Sequence, residues 1–275
     1  MSGSRWIQAV LGARAAALGL ALLVGCSSTG VGNPAQESAT LSLSIVTDDE
    51  AERGAADPDA ALPAQRLRHA ILAFRELRWL PCDQSEEAVV VEGQIVVNLV
   101  TGRVEPELPR VPVPPSGFCG LDAPLMPAEW PPGLVGRSLL FAGLRQDGVL
   151  FLLYSSIEGT LRLRPREGVV WGAGDEDSAV IWAQRPRRWL TDEDLDGVES
   201  VPVGDVEDAD AVDGVGAVER VIPIDADRHP ALLALIRARL AGRSSLYADL
   251  NKNGRLDLAE RADAAWLGSG LSDLD

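Results

Sequence analysis

Ser138-Leu139-Leu140-Phe141-Ala142-Gly143-Leu144 and Val149-Leu150-Phe151-Leu152-Leu153-Tyr154 are two short apolar runs separated by Arg145-Gln146-Asp147-Gly148. Each run has a strand's length and falls short of an ordinary helix. Asp-Gly is the dipeptide that best tolerates the positive φ angles of a tight hairpin. The stretch predicts a β-hairpin and puts the chain in the mainly-β class.

The same pattern extends outward from it. Leu41-Ser42-Leu43-Ser44-Ile45-Val46 alternates at period two, and residues 161–164, 169–171, 179–182 and 218–224 read as further short strands. Ala88-Val89-Val90-Val91 and Ile95-Val96-Val97-Asn98-Leu99 flank Glu92-Gly93-Gln94 and predict a second hairpin. Residues 67–80 are ambiguous. Leu67, Ile71, Phe74 and Leu77 fit one helix face, while the length and the Pro81 stop also fit a long strand, the reading preferred here. Residues 104–132 hold many of the 18 prolines and read as an ordered crossing loop. One helix is expected after Asp227-Arg228-His229-Pro230, with Asp227 as cap, Leu232, Leu233, Leu235, Ile236 and Leu240 as apolar face, and Gly242 as stop. The expected architecture is an antiparallel β-sandwich over residues 41–225, followed by a helical C-terminal segment, 226–275.

The formal charge is −16, from 41 acids against 25 bases. That balance argues against nucleic acid, whose phosphates need a basic face, and against electrostatic attachment to anionic lipid. At the N-terminus, Arg5 and Arg14 precede the small apolar run 15–24, half the roughly 20 residues that span a bilayer. Leu23-Val24-Gly25-Cys26 then resembles the lipobox of bacterial lipoproteins. The resemblance implies cleavage of residues 1–25, acyl chains on Cys26 and, with Ser27 following, an outer-membrane address in the cell envelope. Loss of the two arginines takes the charge to −18. Residues 26–40 are small and polar and read as a tether. Gly32-Asn33-Pro34, the early strand and Asn98-Leu99 resemble β-sandwich lipoproteins of unknown function, which implies no activity.

With Cys26 lipidated, Cys82 and Cys119 remain, and in an oxidising compartment they are expected to form a disulfide. A catalytic thiol lacks a base. His69 reads as a half-buried strand residue and His229 as a surface residue at the helix start. No catalytic residue is assigned.

The chemistry concentrates at Asp249-Leu250-Asn251-Lys252-Asn253-Gly254-Arg255-Leu256-Asp257-Leu258-Ala259-Glu260. Ca2+ needs six to eight oxygens around a sharply bent chain. Asp249, Asn251 and Asn253 are spaced by two, Gly254 permits the bend, Arg255 offers its carbonyl, Asp257 takes the ninth position and Glu260 the twelfth. The twelve residues resemble the calcium loop of EF-hand and dockerin-like modules, with Leu256 at the apolar anchor position and residues 258–266 as an exit helix. Two Asn ligands leave three carboxylates, which suggests a Kd of roughly 10⁻⁴ to 10⁻³ M. Asp192, Asp194, Asp196 and Gly197 copy the first half of such a loop, but its twelfth position is Val203. A solvated acidic loop is the preferred reading there, with an irregular second metal site the alternative.

Two functions follow. One is a non-enzymatic, lipid-anchored binding protein with structural calcium and a protein or glycan partner. The other is a carbohydrate-binding module or hydrolase with a groove lined by exposed tryptophans and carboxylates. Trp79, Trp130, Trp171, Trp182 and Trp189 are the candidates for that platform.

Overall fold

The computed structural model describes residues 39–48, 66–172, 176–206, 218–261 and 265–274. The expected signal, Cys26, most of the tether and the acidic residues 207–217 lie outside the described residues. The chain is mainly β. Its elements are β1 (Thr40–Thr47), β2 (Arg66–Pro81), β3 (Val89–Asn98), β4 (Arg103–Glu105), β5 (Val111–Pro112), β6 (Phe118–Leu125), β7 (Leu139–Leu144) and β8 (Leu150–Ser155). They continue with β9 (Gly159–Pro165), β10 (Ser178–Gln184), β11 (Val201–Pro202), β12 (Arg220–Pro223), α1 (Pro230–Gly242), β13 (Ser244–Ala248) and β14 (Trp266–Leu274).

All the strands join one sheet in the order β11-β12-β8-β7-β2-β6-β9-β14-β13-β10-β1-β5, with β3 on β2 and β4 on β3. The sheet is mixed, which corrects the purely antiparallel expectation: β1 runs parallel to β10, and β12 parallel to β8. Parallel neighbours need long crossovers, and periodicity within a strand carries no information about its partner's direction. Phe74 on β2 and Trp182 on β10 have ring centroids 5.5 Å apart, although four strands separate them in sheet order. The sheet therefore curls until its inner faces touch. Leu43, Phe74, Trp79, Phe141 and Trp182 share that core, and Leu233, Ile236 and Leu240 of α1 pack into it.

The β7–β8 hairpin forms as expected, with Gly148 at φ 86°. The long strand β2 also forms, and its ambiguity has a structural cause. Positions facing the main core run Ala70, Leu72, Phe74, then Leu77, Trp79, because a bulge at Arg75 shifts the alternation by one. The shift puts three-residue steps into a strand and imitates a helix.

The same bulge overturns the second hairpin. Glu92-Gly93-Gln94 does not turn; β3 runs straight through, with Gly93 and Gln94 opposing Arg75 alone. Gly93, at φ 100°, absorbs the irregularity. Gln94 then fastens the crossing segment, its Nε2 donating to the Trp130 carbonyl and its Oε1 accepting from the Glu129 amide, both at 2.6 Å.

The proline-rich span is not only loop, since it contains the eight-residue β6. Cys82 and Cys119 are disulfide-bonded with Cα atoms 4.8 Å apart, joining the end of β2 to β6 across 37 residues of sequence. On the chain-entropy account such a closure stabilises by about 4 kcal/mol. The helix lies where expected, but Asp225 caps the turn before it in place of Asp227, accepting from the amides of Asp227 and Arg228. Among the described residues the exit helix expected over 258–266 does not form: 258–261 make a turn, and β14 begins at Trp266.

Candidate metal centre

The twelve-residue loop connects β13 to β14, two interior strands of the sheet. Strands therefore flank it where an EF-hand would have helices. The Asp249 amide donates to Ala179 O of β10 at 2.9 Å and fixes the first residue against the sheet.

From that anchor the chain wraps around its own side chains. Asp249 is buried; its Oδ1 accepts from the Asn253 amide at 3.1 Å and its Oδ2 from the Gly254 amide at 2.8 Å. Asn251 Oδ1 also accepts from the Asn253 amide at 3.0 Å, and Asn253 Oδ1 accepts from the Arg255 amide at 2.7 Å. The bend needs left-handed backbone at Lys252 (φ 57°) and Gly254 (φ 69°). A Cβ at Gly254 would also meet Ser44 Oγ of β1 at 2.9 Å.

The second half is a capping box. Asp257 Oδ1 accepts from the Ala259 amide at 3.1 Å, while Glu260 Oε2 reaches back to the Asp257 amide at 2.9 Å. Glu260 is fully buried, and its Oε1 accepts from the Leu250 amide at 3.0 Å. One carboxylate thus ties the loop's last residue to its second. Asn251 Nδ2 spans the interior to Asp257 Oδ2 at 2.7 Å. Leu256 packs on Ile181, Ala183 and Tyr247, outside the main core.

The structure gathers the first- and twelfth-position residues but turns their carboxylates onto backbone N–H groups. Among the described residues no three His, Cys, Asp or Glu side chains form a metal-holding group. The donor set is nonetheless oxygen only, the chemistry of a hard cation. Asp249 and Glu260 are buried carboxylates whose hydrogen bonds come from backbone amides, with no ion pair to a described cationic side chain. Buried charge of one sign favours a compensating cation.

A clamp that the sequence did not advertise sits beside the loop. Asp48, 1% exposed in its side chain, lies between Arg185 (Nη2–Oδ2, 2.7 Å) and Arg261 (Nε–Oδ1, 3.3 Å). Arg261 directly follows Glu260, so the loop's exit is fastened to the ends of β1 and β10. Nothing in the spacing of these three residues announces the cluster.

The half-motif at 192–197 folds differently. Gly197 has φ 70°, much like Gly254, but Asp194 is committed elsewhere. It accepts from the Thr191 amide and Oγ1 at 2.7 Å and pairs with the Arg239 guanidinium of α1. Burial raises the Asp194 pKa, but the hydrogen bonds from Arg239 and Thr191 outweigh it and hold the carboxyl below its ordinary range. Asp196 is exposed, and both Asp192 oxygens are buried without a hydrogen bond. Asp194 is therefore an anchor between this turn and the helix.

Trp79, Trp171, Trp182 and Trp189 lie inside the core at 1% exposure or less, and Trp130 is half-buried. Four of the five candidate platform residues thus present no surface to a sugar. His69 and His229 are both half-buried, His69 on β2 and His229 before α1. No family model, curated protein or solved structure matches the chain.

Proposed function

We propose that the chain is a lipid-anchored protein of the bacterial cell envelope that binds a partner without catalysing a reaction, and that Ca2+ in the 249–260 loop is a structural staple. The observation that carries the calcium reading is the pair Asp249 and Glu260: buried carboxylates at the two ends of one loop, each held only by backbone amides. A cation there would draw on Asp249, Asn251, Asn253, the Arg255 carbonyl, Asp257 and Glu260 and supply the missing positive charge. Because the loop joins two interior strands, its closure would stabilise the sheet more than it would move it.

The curled sheet, with Phe74 against Trp182, supports reading the body as two facing β layers. The cysteine chemistry supports export, since a disulfide persists in an oxidising compartment. The buried tryptophans favour a general binding role over a sugar platform. Residues 192–196 are left out of the metal proposal because Asp194 already has its cation in Arg239.

Thermal melts of the full chain with excess Ca2+ and with chelator test the staple. A calcium-dependent rise in Tm is expected for the parent and none for the Asp249→Ala, Glu260→Ala double variant. Equal melts of parent and variant in excess Ca2+ would overturn it. Should the double variant fail to fold, Asn251→Ala, Asn253→Ala carries the same expectation. Mass spectrometry of the native N-terminus tests the anchor: an unmodified Cys26 is the contrary result.

A further inference from the structure

We infer that a groove along β1 takes an extended peptide bearing an acidic side chain, which adds to the sheet as a strand. This rests on the reading of the chain as a binding protein and names the chemistry of what it binds. β1 pairs along its whole length with β10 but on its other edge only at Thr40 and Leu41, opposite Pro112 and Val111 of β5. The register explains the early stop. Continued, it would place Pro109 opposite Leu43, and proline has no N–H to give. The chain before β5 therefore diverges, and a gap opens beside the rest of β1.

Main-chain groups alternate in direction along a strand, so two bonds fix which residues face that gap. The Val113 amide donates to Ala39 O on the β5 side, and the Asp48 amide donates to Gln184 O on the β10 side. Odd-numbered residues thus turn toward β5. Leu43, Ile45 and Thr47 present their N–H and C=O to the gap, and on that edge they pair with no strand among the described residues.

The gap is an open groove, not a packed seam. A cavity of about 420 Å³ lies between residues 42–46 and the wall carried by Val104, Glu107, Leu108 and Arg110. A second, of about 320 Å³, continues past Val46 and Thr47 to Arg255 and Arg261. They share Val46 and Gly102, so the groove follows β1 to its end. Backbone donors and acceptors repeating every second residue along an open channel match an extended main chain better than a compact ligand.

Charge specifies the side chain. At the far end, Arg255 is exposed and makes no ion pair with a described residue, although the protein carries −16 overall. Thr47 Oγ1 is buried there without a hydrogen bond, and Arg261 is held in its ion pair with Asp48 at 3.3 Å. A carboxylate entering this end finds the Arg255 guanidinium.

The probe is a fluorescein-labelled, end-blocked eight-residue peptide of alternating threonine and valine with one central aspartate. It is titrated into the full chain in detergent micelles with excess Ca2+. Saturable binding is expected, with hydrogen exchange slowed at least tenfold at the Leu43, Ile45 and Thr47 amides. A version with lysine for aspartate should bind at least fivefold more weakly, and Arg255→Glu should reverse that preference. Backbone N-methylation at alternate residues should abolish binding. No saturable binding, no protection of those amides, or equal binding of the N-methylated peptide would overturn the inference. Calcium melts on the same samples separate the two readings. Peptide binding without calcium stabilisation sinks the staple alone, and calcium stabilisation without peptide binding sinks the groove alone.

Discussion

Arg185 Nε donates to Asp48 Oδ2 at 2.8 Å, and its Nη2 lies 2.7 Å from the same oxygen, so one guanidinium locks the end of β1 to the residue after β10. Asp48 is almost wholly buried, whereas the Arg185 side chain is 37% exposed. Breaking a buried pair costs about 3–5 kcal/mol because a charge is left behind. Here solvent reaches one partner, so Asp48→Asn is expected to cost about 2–3 kcal/mol. Urea unfolding measures it. The loss should shrink in the Arg185→Met, Arg261→Met background, where no cation is stranded.

Calcium should stabilise by mass action. At a free concentration a hundred times Kd the gain is about 2.7 kcal/mol. Glu260→Gln removes a buried negative charge while keeping an acceptor for one backbone amide. Its NH2 is left facing the other backbone N–H, so in chelator it should be destabilised by about 1–3 kcal/mol, and it should gain nothing from added Ca2+. Paired melts with and without the ion decide it.

Gly268 is a packing requirement of the β9–β14 pair. A Cβ there would sit 2.1 Å from Arg164 O, a backbone atom that no rotamer change can move aside. Gly268→Ala should destabilise by about 2 kcal/mol or more, through strand displacement. Chemical denaturation would show a lower midpoint with an unchanged slope.

Reduction should be costly too. Cys82→Ser, Cys119→Ser frees the closure between β2 and β6 and should lower stability by about 4 kcal/mol. The comparison to make is oxidised parent against variant, both in urea.

Acid unfolding should carry a small signature of the β7–β8 turn. The hydrogen bond from Arg145 holds the Asp147 carboxyl down at about 2. A depressed folded pKa contributes stability that is present above the unfolded value near 3.9 and is lost as pH falls toward 2. Asp147 is 51% exposed, so the contribution is about 1 kcal/mol or less. Asp147→Asn should flatten stability between pH 4 and pH 2 and leave it little changed at neutral pH.

Local chemistry decided much of this. The Asp147-Gly148 turn, the helix after Pro230 and the bend at Gly254 follow from residue types at short range, and the disulfide from having two cysteines left to pair, so the sequence showed them. It misread β3 as a hairpin because Gly93 serves a bulge as readily as a turn, and the choice depends on Arg75 in another strand. It missed the strand β14, Trp266–Leu274, because Gly268, Ser269 and Gly270 carry little strand preference of their own, and pairing with β9 and β13 supplies it. The twelve positions of the acidic loop were legible as spacing. That Glu260 is wholly buried against the Leu250 amide, and that Arg261 reaches Asp48, was decided by the fold. So was the open edge of β1: Pro109 was visible from the start, but its meaning depended on a register that brings it opposite Leu43. Spacing along the chain is written in the sequence, whereas strand partners and buried charge pairs arise only when segments far apart share one core.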